Sequence, residues 1–446
     1  MIPEGPATLK GPVMTVTSAL PAGAHVVVLH RWRDTYAHYE RYLDHDRVRV
    51  SYVVMAHNRS SVPAAAAACA VVGDLTDPGA VRAALTDPVR RHGRPAAVVA
   101  LQEGDLAVAC ALRAEYGTPG RRWADLEHFL DKRAMLEAAA ATGVAVPPYR
   151  TATGYPDIAG FARDHGWPVV IKPLEGRASI GVRQLDGPAD LPGSAPPFAA
   201  PVLVQRHVPH RVFHADGYFD GRDIGPWRLA RYVNVPGAAV HGPLAFNDGQ
   251  PVGETEVTDP RLRAAARRFL DILVPGLSGQ PWVFHCELFI DEAADPPACT
   301  FLEVGCRPGG GEIPFVWRDV YGIDLMALEC ALQCGFVPDA PKSAAAEVGG
   351  SLLVPMVGPR PARITAAPSM VGRPDGPYDE CLPAVGAVVP ALTGTYEHVA
   401  GRFRFRGPST EDVTRQILAT ARDYVLRSTP LAAEPAMAGA GTEASA

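Results

Sequence analysis

Apolar runs separated by polar and glycine-bearing turns set the pattern of the first quarter of the chain. His25-Val26-Val27-Val28-Leu29, Val48 to Met55 and Ala96-Ala97-Val98-Val99-Ala100-Leu101 show no polar alternation and read as strands buried on both faces. Asp77-Pro78 opens a helical stretch through Leu85, and Asp105 to Tyr116 takes up the helical period after the third strand. Strands alternating with helices predict a parallel, doubly wound sheet over residues 20–118. No Gly-x-Gly-x-x-Gly follows the first strand, which argues against dinucleotide binding there.

Thr118-Pro119-Gly120 interrupts this pattern before a long helix predicted from about Trp123 to Thr142, stopped by Gly143 and Pro147-Pro148. Short strands and turns dominate residues 150–235, an α+β signature. Pro260 to Leu273 reads as a helix with a solvated arginine face. Trp282 to Ile290 and Cys299 to Val304 are strand-like, parted by the polar turn Asp291 to Pro297. A glycine loop and a helix from Asp324 to Cys334 follow, then a β-rich stretch over 347–408. Ser409-Thr410-Glu411-Asp412 opens a closing helix to Leu426, and the last sixteen residues read as disordered.

The length of 446 residues exceeds what one core fills, so two to four packed units are expected. A formal net charge of −6, with no basic block, argues against a nucleic-acid partner. The eight cysteines form no Cys-x-x-Cys pair and fit reduced thiols in the cytoplasm; Cys330 and Cys334, one helical turn apart, fit helix packing better than a metal site. No run approaches eighteen apolar residues and no cationic start precedes an apolar core, so the expectation is a soluble intracellular protein with no membrane partner.

Only four of the 42 basic residues are lysine. Where arginine serves as the generic surface cation, a retained lysine is a candidate for a compact, rotatable point charge. Lys10 and Lys342 lie in Pro/Gly/Ala-rich stretches and fit the surface. Lys132 stands in a helical pattern, and Lys172 ends the run Pro168-Val169-Val170-Ile171-Lys172-Pro173. The turn after it, Gly176-Arg177-Ala178-Ser179-Ile180-Gly181, can offer backbone N–H groups to a polyphosphate; an ordinary β-hairpin with two glycines has the same form.

Glu287 and Glu303 each interrupt an apolar strand, in Val283-Phe284-His285-Cys286-Glu287-Leu288-Phe289-Ile290 and Thr300-Phe301-Leu302-Glu303-Val304. Two unpaired buried carboxylates are prohibitive, and a shared divalent cation resolves the cost. Arginine partners, or a half-exposed sheet face, resolve it equally. Gly305-Cys306-Arg307-Pro308-Gly309-Gly310-Gly311 then sets one guanidinium beside open backbone amides, a grip suited to a carboxylate or phosphate.

This order of motifs resembles the ATP-grasp superfamily, and within it the carboxylate–amine ligases that include amino-acid ligases and carnosine-synthase-like enzymes. The matching segments are Asp131-Lys132 with Gly143 and Pro147, Val169 to Val182, Val202-Leu203-Val204-Gln205-Arg206-His207-Val208, Glu287, and Glu303 to Gly311. The resemblance implies an ATP-grasp fold, α/β and α+β, with an N-terminal doubly wound parallel-sheet domain. It implies a Rossmann-like unit at 1–120, a small subdomain with the phosphate loop at 121–200, a large subdomain with the hinge and metal site at 201–340, a β-rich subdomain at 341–430 and the tail at 431–446.

The roles it implies are these. Lys132 and Lys172 contact ATP phosphates, and Gly176, Ser179, Ile180 and Gly181 belong to the covering turn. Gln205, Arg206, His207 and Val208 form the hinge that reads adenine with its main chain. Glu287 and Glu303 hold Mg²⁺, with Glu303 and Arg307 at the reacting groups. Three positions depart from the family pattern. Gly305 replaces an asparagine and leaves one or two Mg²⁺ ions open. Val212 replaces the ribose-gripping glutamate, so that contact falls to His214 or Asp216, which share a face if the stretch is a strand. The hinge carries Gln205 and Arg206 where an acid is usual. The expected activity is ATP-dependent amide formation between a carboxylate and an amine through an acyl phosphate, with ADP and phosphate released, and the resemblance implies a homodimer. A carrier-protein thiol acceptor, carboxylase-type chemistry, or a degenerate nucleotide-binding regulator are the alternatives. The segment Trp227 to Gly253, with Arg228, Arg231 and Asp248, is poor in periodicity and reads as part of an acceptor pocket, a lid, or a passive insertion.

Overall fold

The computed structural model describes residues 20–32, 36–176, 179–191, 198, 200–235, 242–341, 346–390 and 399–431. Lys10, Lys342, Arg177, Ala178 and the tail from 432 lie outside the described residues.

Strands β1 (His25–His30), β2 (Arg49–Met55), β3 (Ala68–Val72) and β4 (Pro95–Ala100) form a parallel sheet in the order β3-β2-β1-β4. Alternate residues of its strands feed two different cores. Val26, Val28, Tyr52 and Val99 pack on Met326, Cys330 and Cys334, while Val27, Leu29, Val53 and Val98 join the principal core. Burial on both faces is why these strands read as unbroken apolar runs. Cys330 and Cys334 are packing residues, as expected. The open edge of β4 is capped by Gln333, whose Nε2 donates to the Ala100 carbonyl (2.8 Å) and whose Oε1 accepts from the Ala100 N–H (2.7 Å) and from Arg113 Nη2 (2.6 Å).

A second sheet, antiparallel, runs β5-β8-β6-β7 from β5 (Tyr149–Ala152), β6 (Val169–Pro173), β7 (Arg183–Leu185) and β8 (Val202–Arg206). One face packs on the helix Tyr155–His165 through Val169, Ile171 and Val204. The largest sheet has eight strands in the order β13-β12-β9-β10-β11-β14-β18-β16, antiparallel throughout. They are β9 (Arg211–Phe219), β10 (Ile224–Asn234), β11 (Val252–Glu256), β12 (Trp282–Asp291), β13 (Ala298–Gly305), β14 (Val348–Val354), β16 (Asp379–Cys381) and β18 (Gly401–Gly407). The β-rich stretch after 341 contributes three strands to the central sheet. A small sheet of β15 (Ala362–Ala366), β17 (Val388–Val389) and β19 (Arg427–Pro430) lies beside them.

Several expectations change. The helix predicted over Trp123 to Thr142 is two helices, Trp123–Leu130 and Lys132–Thr142, because Asp131 is extended and its side chain caps the second helix through the Ala134 N–H (2.7 Å). The helix opened by Pro78 continues to His92, and the one opened by Pro260 to Leu277. Trp227 to Asn234, expected to be irregular, belongs to β10; residues 236–241 of the same segment lie outside the described residues. β3 and the helices Tyr155–His165 and Ile313–Tyr321 had no counterpart in the sequence reading. Among the described residues no helix is long and apolar enough to cross a membrane.

Candidate active site

Cross-strand register divides the large sheet into an apolar and a polar face. Phe213, Ala215, Leu229, Cys286 and Val304 point into the principal core, against Leu262, Ala266 and Phe269 of the helix Pro260–Leu277. Residues of opposite parity form one row across five strands, Glu303–Glu287–His214–Ala230–Glu256, each paired with the next. Beside it runs Gly305–His285–Asp216–Arg228. The two carboxylates singled out in the sequence therefore meet in register on the polar face. Glu287 is only 7% exposed, and burial, then the neighbouring Glu303 charge, pushes its carboxyl above the usual range. Its Oε1 accepts from the Tyr232 hydroxyl.

The lysines arrive from the second sheet and from the helix Lys132–Thr142. Lys172 pairs with Leu203 and Val170 with Gln205, so Lys172 and Gln205 share the face turned away from the helix Tyr155–His165. Lys132 Nζ donates to the Gly176 carbonyl (2.7 Å) and lies 3.9 Å from Glu303 Oε2, while its N–H donates to the Leu174 carbonyl. Burial lowers Lys172 to about 8, against the charges of Glu303 and Glu287 and with that of Lys132. Two ammonium and two carboxylate groups thus gather at one place between the two sheets. In the covering turn Ser179 and Gly181 have positive φ, and a Cβ on Gly181 would stand 2.9 Å from Pro173 Cγ; Ile180 is exposed.

At the hinge, the Arg206 N–H donates to the Pro148 carbonyl (2.9 Å) and the His207 N–H to the Pro168 carbonyl (3.1 Å). Among the described residues the Val208 N–H has no backbone acceptor. Gln205 is 3% exposed, and among the described residues its Nε2 has no hydrogen-bond partner.

His214 and Asp216 do project to one side, but they are engaged with each other. His214 Nδ1 lies 2.7 Å from Asp216 Oδ2, and His285 Nδ1 2.8 Å from Asp216 Oδ1. His214 Nε2 lies 3.1 Å from Glu254 Oε2, and Glu254 Oε1 accepts from Ser351 Oγ (2.8 Å). Burial works against a charged His214, yet Asp216 and Glu254 outweigh it and raise the imidazole to about 10. Burial likewise opposes the Asp216 carboxylate, which His285 and His214 hold well below the usual range. Both side chains are buried within this network, so the ribose contact expected of them is not open in this arrangement. The three ligand-type groups lie within 4.8 Å of one another, and each Nδ1 sits at hydrogen-bond distance from one Asp216 oxygen. A cavity of about 30 Å³ beside it, walled by Arg228, Glu254, Glu256, Trp317 and Tyr321, has room for water. The glycine loop packs directly on the network. A Cβ on Gly309 would meet Asp216 Oδ1 at 2.6 Å and His285 Nδ1 at 2.9 Å.

Arg307 reaches the N-terminal sheet. Its Nε donates to Glu103 Oε2 (2.7 Å), Nη2 donates to the same oxygen, and Nη1 donates to the Pro308 carbonyl (2.8 Å). Burial weakens a lone guanidinium, but the Glu103 charge and hydrogen bonds raise its pKa further. Glu103 follows the carboxyl end of β4, where open parallel sheets place ligands. Sequence reading missed Glu103, Tyr232, Glu254 and His285. Only His285 carried a signal, standing two residues before Glu287 and so on its face.

No family model matches the chain. It is 34% identical over 88 residues to an uncharacterised protein of Sinorhizobium fredii, covering 20% of this chain and 18% of the other. It is 30% identical over 99 residues to a D-alanine–D-alanine ligase of Geobacter sulfurreducens, covering 22% of this chain and 31% of the ligase. The matches thus span less than a third of either relative. Solved structures align over nearly the whole length. An L-amino acid ligase from Bacillus licheniformis superposes with a TM-score of 0.66 at 14% identity, over 92% of this chain and 99% of the ligase. A biotin carboxylase from Campylobacter jejuni, solved as an ATP complex, gives 0.65 at 14% identity over 93% and 94%. The N5-carboxyaminoimidazole ribonucleotide synthetase of Thermotoga maritima gives 0.62 at 13% over 92% and 100%. The protein has the ATP-grasp fold.

Proposed function

We propose that the chain is an ATP-dependent carboxylate–amine ligase that works through an acyl phosphate. The observation that carries this is the gathering of Lys132 and Lys172 with Glu287 and Glu303 at one place between the two sheets, together with a buried Gln205 amide without a partner among the described residues. The donor set fits a hard cation: two carboxylates in register, one of them raised in pKa by burial and by the other. Glu287 and Glu303 would hold Mg²⁺, which when bound would supply neutralisation of the phosphate charge.

In the proposed reaction a substrate carboxylate oxygen attacks the γ-phosphorus of ATP and the bond to the β-phosphate bridging oxygen breaks, releasing ADP. The amine nitrogen then attacks the acyl carbon, the carbon–oxygen bond to phosphate breaks, and the amine's proton leaves to phosphate or solvent. Lys132 and Lys172 neutralise the phosphates, and Gly176, Ser179, Ile180 and Gly181 cover them. Gln205 with the main chain of Arg206 to Val208 takes the base. Arg307, oriented by Glu103, faces the charge that develops on the acyl phosphate. Phosphoryl transfer of this kind rests on positioning and electrostatics, and needs no covalent enzyme nucleophile.

The test is a screen of small carboxylates and amines, amino acids first, singly and in pairs. The expected products are ADP and inorganic phosphate, with a hydroxamate when hydroxylamine replaces the amine. Pyrophosphate release would overturn the mechanism. ATP binding without turnover across the panel, carrier-protein thiols included, would favour a regulatory nucleotide-binding protein.

A further inference from the structure

Glu287 and Tyr232 are not on neighbouring strands. Glu287 of β12 pairs with His214 of β9, and His214 pairs with Ala230 of β10; Tyr232 lies two residues beyond Ala230 on the same face. Two strand spacings separate the backbones by about 10 Å, a gap that a tyrosine spans and a shorter hydroxyl does not. The small Ala230 leaves room for the ring to lean across, 5.5 Å from the His214 imidazole between centroids. The hydroxyl donates to Glu287 Oε1, the oxygen that also lies 4.0 Å from His285 Nε2. Among the described residues Glu287 Oε2 accepts no hydrogen bond.

Resting on the reading of this place as a Mg²⁺–nucleotide site, we propose that Tyr232 is a positioning residue for the metal. It fixes the Glu287 carboxylate by one oxygen and presents the other to the cation. A carboxylate at the end of three rotatable bonds otherwise samples several orientations beside a like charge, and the hydroxyl removes that freedom before the cation arrives. Partners of this kind, which hold a ligand rather than the metal, typically contribute 10- to 100-fold in metal affinity.

The test is Mn²⁺ binding to the full chain in the presence of ADP, followed by loss of the free-ion electron paramagnetic resonance signal, so that no turnover is needed. Tyr232→Phe keeps the ring against His214 and removes only the hydroxyl. It should weaken Mn²⁺ binding roughly 10- to 100-fold, with a melting midpoint in the metal-free protein lowered only by the loss of one buried hydrogen bond. The same substitution placed in a Glu287→Gln background should cost no more than about twofold further, since its target is gone. Equal Mn²⁺ affinity in wild type and Tyr232→Phe would overturn the inference while leaving the site reading intact. A full loss that persists in the Glu287→Gln background would overturn it too, by showing that Tyr232 acts elsewhere. No Mn²⁺ binding by the wild type with ADP would remove the site reading and the inference together.

Discussion

Glu287 and Glu303 stand opposite each other on antiparallel neighbours, with a bulge immediately after Glu287. Like charges in register repel, and burial adds to the cost of ionising Glu287. The protein therefore holds an unfavourable charge pair that a bound cation would relieve.

This pair has a pH signature. The folded Glu287 carboxyl titrates above its ordinary value of 4.5, so the native state binds more protons than the unfolded state in the window above 4.5. Stability falls as pH rises through that window. In metal-free protein the melting midpoint of wild type should drop relative to Glu287→Gln from pH 4.5 towards neutrality, and Mg²⁺ with nucleotide should reverse the drop. Both Glu287→Gln and Glu303→Gln should lose at least ~100-fold in turnover at saturating Mg²⁺; near-normal rates would refute the metal assignment.

Lys172 titrates at about 8 in the apo protein, below its ordinary 10.5. Bound polyphosphate favours the ammonium, so ATP binding takes up a proton wherever the apo lysine is neutral. ATP affinity should be flat below pH 8 and weaken by up to about tenfold per pH unit above it. Calorimetric titrations from pH 7 to 9.5 would show this, and Lys172→Met should give weak, pH-independent binding. Lys132→Met should also weaken ATP binding. Lys342→Met, outside the described residues, should do neither.

Gln205 carries a buried amide nitrogen without a partner among the described residues, a cost of about 1–3 kcal/mol. Gln205→Leu should leave the metal-free melting midpoint equal or higher, yet weaken ATP binding several-fold. A variant less stable and unaltered in ATP affinity would assign the side chain to packing.

Arg307 places two nitrogens on one Glu103 oxygen. Arg307→Ala should cut hydroxamate formation by about 10²- to 10³-fold, the usual cost of removing a donor from a developing anion. Glu103→Gln should lower the same rate less, and have little further effect once Arg307 is alanine. Independent, multiplying losses in the double variant would show that Glu103 does not act through Arg307.

The sequence alone marked the pieces of this site whose signal is local. A carboxylate inside an apolar strand is visible from its neighbours, and alternation alone places His214 with Asp216 and His285 with Glu287. Scarcity of lysine pointed to Lys132 and Lys172, and strand–helix alternation to the parallel sheet. What alternation cannot state is which strand lies beside which. Register brought Glu287 opposite Glu303 and His214, turning two expected ribose contacts into a closed network with Glu254 and His285. Likewise Asp131 looks like helix interior by periodicity, but its cap geometry starts a second helix there and aims Lys132 at Gly176.

A long-range decision at the site is the Arg307–Glu103 ion pair, which joins residues 204 positions apart. Neither residue's local pattern names the other, because an ion pair depends on distance in space, whereas periodicity reports only which face a side chain shares with its near neighbours. The sequence thus determined which residues are chemically out of place on their strands. Packing of one sheet against another decided what those residues meet.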